Sequence, residues 1–251
     1  MDFRADIYSP LQNVSLWMAS WLHHQESFDE TIAALRELGG HQRIASGEFS
    51  SADVFAQWRR AYTPGSRLRL LLAGPGMPLA LPPAHPATLL SQKAGGAVIL
   101  SHENGDASVF IPIFQAADDH TDWHEFYLEA PLPQAAWLSP GDADTQLRDA
   151  TYAAAHSIAA VNPGISAPNP RLTVGSLTDY YDSPGLPPAT PPRSSGLIAR
   201  ANAVTAVLET TMQRYGIHEF DPELLRLGHS IRQARMTAVD YAVAEWGRRA
   251  G

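Results

Sequence analysis

The chain contains no cysteine, which excludes disulfides, thiolate metal sites, iron–sulfur clusters and cysteine nucleophiles together. Only oxygen and imidazole ligands remain for a metal. Lysine is almost as scarce: Lys93 stands alone against seventeen arginines, so a lysine-dependent mechanism has one candidate. No apolar run approaches the about 18 residues that a membrane span needs, and Met1-Asp2-Phe3-Arg4-Ala5-Asp6 lacks the basic region and apolar core of a signal peptide. The expectation is a soluble, cytoplasmic protein with no membrane partner. Also absent are Gly-x-Ser-x-Gly, a dinucleotide-binding glycine pattern, a phosphate loop ending Gly-Lys-Ser/Thr, and His-Glu-x-x-His.

What is present is acidic and unevenly spread. The formal charge is −8 over 251 residues, which speaks against a surface that grips nucleic acid phosphates. Residues 101 to 149 carry ten acidic side chains and one basic one, Arg148, whereas residues 193 to 251 carry eight arginines against six acids. Electrostatic fit between the two parts, or an acidic surface for a protein partner, follows from that asymmetry, and the first reading is favoured.

The strongest strand signal is Arg67-Leu68-Arg69-Leu70-Leu71-Leu72-Ala73, stopped by Gly74-Pro75-Gly76-Met77-Pro78. It reads as the first strand of a central sheet. Before it, Leu11, Val14, Trp17, Met18, Trp21 and Leu22 recur at helical spacing towards His23-His24, whose role at that helix end is dipole compensation. Ser27-Phe28-Asp29-Glu30 is a capping box ahead of a second helix ended by Gly39-Gly40, and a third helix spans Ser51 to Tyr62. His41 to Ser50 is ambiguous.

After the prolines, Ala87 to Lys93 fits a short helix ended by Gly95-Gly96, and Ala97 to Leu100 a second strand, which suggests a parallel pair with the first. Glu103-Asn104-Gly105-Asp106 should turn that strand back as a hairpin onto Ser108 to Phe114, where Pro112 demands an edge or a bulge. Glu125 to Leu128 can add one more strand. Asp142 to Val161 is helical, 162–193 is a proline-rich loop with eight prolines, and two helices close the chain, the first capped by Gly216 and the second opening at Asp221-Pro222-Glu223. The expected fold is α+β: a small central mixed or antiparallel sheet flanked by N-terminal helices and a C-terminal helical hairpin. It forms one domain over 1–251, with a possible subdivision into 1–140 and 141–251.

Taken together these stretches resemble a family of uncharacterised actinobacterial proteins. Its members show a strand ending Leu-Pro-x-Pro-Gly-Asp-Pro, a short helix running into Ala-Gly-Glu-Ala-Val, and a closing pair of alanine- and arginine-rich helices. The corresponding residues are Leu72, Pro75, Gly76 and Pro78, then Ala94-Gly95 and Ala97-Val98, and loosely the tail from Arg200 to Arg249. Met77 stands where the family has an aspartate and Gly96 where it has a glutamate. The resemblance implies no activity and no cofactor.

Candidate chemistry is sparse. In Asp118 to Glu125, His120 and His124 lie four apart, and with Glu125 they could ligate a divalent cation on a helix face; the alternative is a solvated acidic loop. Gly74 and Gly76 could offer amides to an anion, although Pro75 and Pro78 withhold two donors. Tyr180 and Tyr181, in the proline-rich loop, could touch a ligand or partner. Arg226, Arg232, Arg235, Arg248 and Arg249 read as a solvated helix face. The favoured function is a non-catalytic binding or interaction protein with a possible protein partner; the alternative is a metal-dependent hydrolase centred on His120, His124 and Glu125.

Overall fold

A computed structural model describes residues 10–45, 47–75, 77, 79–115, 117–129, 131–133, 137–161, 185–215 and 221–250. Among these, seven helices and five strands follow one another: α1 (Leu11–Leu22), α2 (Phe28–Gly39), β1 (His41–Ile44), α3 (Ser51–Ala61), β2 (Arg67–Leu72), α4 (Pro86–Ala94), β3 (Gly96–Ser101), β4 (Ala107–Gln115), β5 (His120–Leu128), α5 (Pro140–Val161), α6 (Pro192–Tyr215) and α7 (Asp221–Ala250). This is an α+β fold around one mixed sheet.

The strands lie in the order β1-β5-β4-β3-β2, with β1 parallel to β5 and every other pair antiparallel. Two expectations are corrected here. β2 and β3 are antiparallel, pairing Arg67 with Ser101 and Leu72 with Gly96, because the proline-rich segment and the short α4 bring the chain back beside the end of β2 rather than across the sheet. The strand expected to lead a central sheet is in fact the second of five and lies at an edge. The β3–β4 turn is the hairpin expected: His102 N–H donates to Asp106 O at 2.9 Å, and Gly105, at φ 93°, donates to His102 O at 3.0 Å. Pro112 is accommodated because the β3–β4 ladder stops at Val98–Phe110, two residues short of it.

Alternation in the strands gives the sheet two apolar faces. On one, Leu68, Leu70, Leu72, Val98, Leu100, Phe110 and Trp123 join a core with α1, α3, α5, α6 and α7. Trp58 of α3 stacks on Phe110 with ring centroids 4.0 Å apart and meets Trp123 edge-on at 5.6 Å, while Trp123 Nε1 donates to Gln42 Oε1 at 2.8 Å. On the other, Ala97, Ile99, Val109 and Ile111 pack with Ala87 of α4, the partly buried Leu90 and Ala94, and Leu81 of the loop before it.

Helix ends follow the local chemistry. Ser27 and Glu30 form the capping box, His85 caps α4 by accepting from Ala87 N–H at 3.1 Å, and Gly95 ends it in the left-handed conformation at φ 80°. The edge of β2 is closed by α7: Leu72 N–H donates to Met236 Sδ at 3.4 Å, which blunts an edge that would otherwise recruit another strand. α7 is also tied inward. Arg235 is fully buried and donates to Gln12 Oε1 at 2.7 Å, Asn202 Oδ1 at 2.8 Å and Thr205 Oγ1 at 3.2 Å, joining α1, α6 and α7. Arg232 is 3% exposed. These two arginines are therefore internal, not part of a solvated face: their spacing of three puts them on the same side of α7 as the buried Ile231, Ala234 and Ala238.

Candidate ligand cavity

The predicted metal residues lie in β5, in the sheet, not on a helix or in an acidic loop. Successive strand residues face opposite ways, and the register shows it: His124 is opposite Ile111 of one apolar face, Glu125 opposite Phe110 of the other. Glu125 accepts from Gln57 Nε2 at 2.8 Å on its own side. His120 instead joins the β1 edge, where its Nε2 is 3.4 Å from Asp122 Oδ2 and 3.3 Å from Arg43 Nη2. Arg43 also pairs with Asp122, and that hydrogen bond holds the Asp122 carboxyl below its ordinary pKa. Thus His120, His124 and Glu125 do not converge, and among the described residues no group of three or more His, Asp or Glu side chains could hold a metal ion.

The turn after β2 is filled by the chain itself. Arg232 Nη2 donates to Pro75 O at 3.0 Å, and a Cβ on Gly74 would collide with that guanidinium, so a side chain there would have to displace Arg232. At the turn that could have offered amides to an anion, Gly74 instead lies against the Arg232 guanidinium. Gly76, Tyr180 and Tyr181 lie outside the described residues. His23 is buried against Tyr62, ring centroids 5.8 Å apart. Burial, with His24 beside it, keeps its pKa below the ordinary value, which opposes the charged helix-end role expected of it.

A second polar group lies at the base of the hairpin. His102 Nδ1 is 3.1 Å from Ser66 Oγ and its Nε2 is 3.2 Å from Ser108 Oγ. Both ring nitrogens are thus taken by hydroxyls, and neither is held by the carboxylate that a serine–histidine relay uses to orient its base. The cluster anchors the hairpin to the residue before β2.

The arrangement with most chemical tension is beside β2. Alternation sends Arg69 and Leu71 to the face opposite Leu68, Leu70 and Leu72, and on α7 the residues Gln233, Met236, Thr237, Asp240 and Tyr241 form one stripe at i, i+3, i+4, i+7 and i+8. With Met77, Ala80, Ile99, Trp137 and Leu138 these two elements enclose a cavity of about 140 Å³. Most of its wall is apolar. Two of its lining residues, Asp240 and Arg69, each have a buried atom, Oδ1 and Nε, with no hydrogen-bond partner, so those two atoms do not meet one another. Asp240 as a residue is only partly buried, yet Oδ1 is out of reach of solvent. Burial pushes its pKa up to about 6, against the pull of Arg69 and Arg67. Trp137, at the rim, is 72% exposed.

Sequence reasoning missed this pair. The available signals were an aspartate embedded in the alanine-rich stripe Ala234, Ala238, Tyr241, Ala242, and two arginines, Arg67 and Arg69, alternating with leucines in β2.

No curated protein and no solved structure matches the chain. Two family models do: the Rv1486c-like protein N-terminal domain over residues 12–137 and the Rv1486c-like protein C-terminal domain over residues 141–236. No function is assigned to that family. The first match contains all five strands and the second contains α5 and the start of α7, so the cavity wall draws on both. By these two matches the chain belongs to the Rv1486c-like protein family.

Proposed function

We propose that this protein is a non-catalytic, cytoplasmic binding protein that receives a small ligand, or one side chain of a protein partner, in the cavity between β2 and α7. One observation carries the reading. Two residues of opposite charge, Asp240 and Arg69, line one mostly apolar cavity, and each has a buried atom, Oδ1 and Nε, without a hydrogen-bond partner. Leaving a buried polar atom unsatisfied costs about 1–3 kcal/mol, and folded proteins keep few of them. Two such residues on the wall of one small cavity support a site completed from outside, since apolar walls with a few polar groups are what ligand pockets offer. At the rim, the exposed Trp137 gives an entering molecule an aromatic surface.

The test is a fragment screen by thermal shift on the full chain and on Ala80→Phe, which fills the cavity. Fragments of six to nine heavy atoms should raise the melting temperature of the natural chain and leave the variant unmoved. Equal shifts in both proteins, or shifts in neither, would place any binding elsewhere and end this reading.

A further inference from the structure

The acidity of residues 101–149 is not neutralised within the chain. Among the described residues, one ion pair, Arg200–Asp144, joins that stretch to the arginine-rich residues 193–251. Of the seven acids on the strands and turns before α5, Asp122 alone among the described residues has an arginine partner, Arg43. Two of the unmatched acids, Glu103 and Glu125, line a groove of about 670 Å³ between α3 and the β3–β4 hairpin. Strand register sets its floor. Tyr127 pairs with Ser108 and Glu125 with Phe110, so Tyr127 and Glu125 stand on the same side of β5, about 7 Å apart along the strand. The Tyr127 hydroxyl donates to Asp106 Oδ2, and its ring lies 28° from parallel to the His102 ring, centroids 6.3 Å apart. The ring is thus held in place while 54% exposed. Glu125 is also exposed, and accepting from Gln57 Nε2 through Oε2 fixes its carboxylate and leaves Oε1 open. Glu103 lies on the hairpin side with its carboxylate against Gly65. Arg60, exposed on the same groove, ion-pairs with neither acid among the described residues.

We infer that this groove docks an arginine side chain of a protein partner, its guanidinium stacked on Tyr127 and paired with Glu125, with Glu103 adding attraction from the hairpin. A held, exposed aromatic ring beside an unpaired carboxylate is complementary to a flat cation. A guanidinium within about 6 Å of the ring centroid gains cation–π attraction, and its N–H edge matches a carboxylate two bonds at a time. An ammonium group offers neither the plane nor the fork. A divalent ion has no site here, since no group of three His, Asp or Glu side chains among the described residues could hold one, and the acids repel nucleic acid phosphates. The groove is open to water, where a single ion pair contributes about 1 kcal/mol or less. A free small cation would therefore be held poorly, whereas an arginine on a polypeptide that continues along the groove adds further contacts. This surface shares no lining residue with the cavity between β2 and α7, so the two readings stand or fall separately.

The experiment is an NMR titration of the full, isotope-labelled chain with three capped peptides: Gly-Ala-Arg-Ala-Gly and the same peptide with lysine or citrulline in place of arginine. Each is carried to about 5 mM, so that millimolar binding is read. The arginine peptide is expected to shift the amide signals of residues 57–61, 102–108 and 125–127 saturably and to bind about fivefold more tightly than either analogue. Its binding should weaken as salt rises from about 50 mM to about 500 mM. Tyr127→Leu and Glu125→Gln, both at exposed positions, should each remove most of the preference for arginine, and their spectra report whether the fold is kept. Because the three peptides are compared on the unaltered chain, that result stands even if a variant fails to fold. Equal binding of the lysine peptide would show plain charge attraction and overturn the arginine assignment; equal binding of the citrulline peptide would show that the acids play no part and overturn it as well. Shifts centred on other residues, an unchanged affinity in folded Tyr127→Leu, or no saturable shift with any peptide would each overturn the docking site.

Discussion

At the scale of single residues, the determining feature is a carboxylate kept where it is uncomfortable. Asp240 has its pKa raised from 3.8 to about 6 by burial, so the folded chain holds that proton more tightly than the unfolded chain does. The stability contributed by the residue therefore falls as pH rises from about 4 to about 6, and the full penalty applies above that. At about 1.4 kcal/mol per unit of displacement the upper bound is about 3 kcal/mol. Asp240→Asn should then stabilise the fold by on the order of 2 kcal/mol at pH 8 and by almost nothing at pH 4, read from urea denaturation at the two values. Equal stability of the two proteins at pH 8 would show that the carboxylate is satisfied after all. None of this was legible in the sequence: periodicity marks which side of α7 is inward, but not that an aspartate on that side would meet a cavity. The same limit applies to Arg232 and Arg235. Arginine is usually solvated, and it takes the packed partners to reveal an internal role: Gln12, Asn202 and Thr205 for Arg235, and Pro75 O for Arg232.

At the scale of elements, what could be read was what local chemistry decides. The capping box at Ser27, the glycine stop at Gly95 and the Asn104-Gly105 turn are each fixed by residues within four positions of one another, and each stands where the pattern put it. Strands made by tertiary pairing were harder. β1 has one apolar residue, Ile44, in four, and it is a strand because β5 accepts it: His41 N–H donates to Asp119 O at 2.9 Å and Ala45 N–H to Trp123 O at 2.8 Å. β5 itself carries Asp122, His124 and Glu125, a charge density that suggests a loop until its place between β1 and β4 is known. Among the helices, the joint made by Arg235 gives a direct comparison. Arg235→Met removes donors to α1 and α6 and should cost about 3 kcal/mol. Arg248→Met, on the exposed end of the same helix where, among the described residues, Arg248 pairs with Glu245 and Ala244 O, should cost less than about 0.5 kcal/mol. Chemical denaturation of the two variants measures both; similar costs would mean that the buried network contributes no more than a surface pair.

At the scale of the whole molecule, the two family matches meet between residues 137 and 141, but the apolar core does not divide there. Leu11, Trp58, Leu70, Phe110 and Trp123 belong to the same cluster as Leu147, Leu197, Ile231 and Trp246, and α7 lies against both α1 and β2. Unfolding of the full chain is therefore expected to be one cooperative step, with coincident transitions by circular dichroism and by tryptophan fluorescence. Two separated midpoints would show that the regions on either side of residue 140 unfold independently.

The turn at Gly74 makes this dependence a matter of time. Its inner side is completed by Arg232, whose hydrogen bond to Pro75 O spans 157 residues of sequence. Chains are synthesised at roughly 5–20 residues per second, so about 8–30 s separate the emergence of the turn from that of the side chain that fills it. Throughout that interval the leucines of β2 have been made and the helix that covers their edge has not. The nascent chain must keep that edge from other strands until α7 leaves the ribosome.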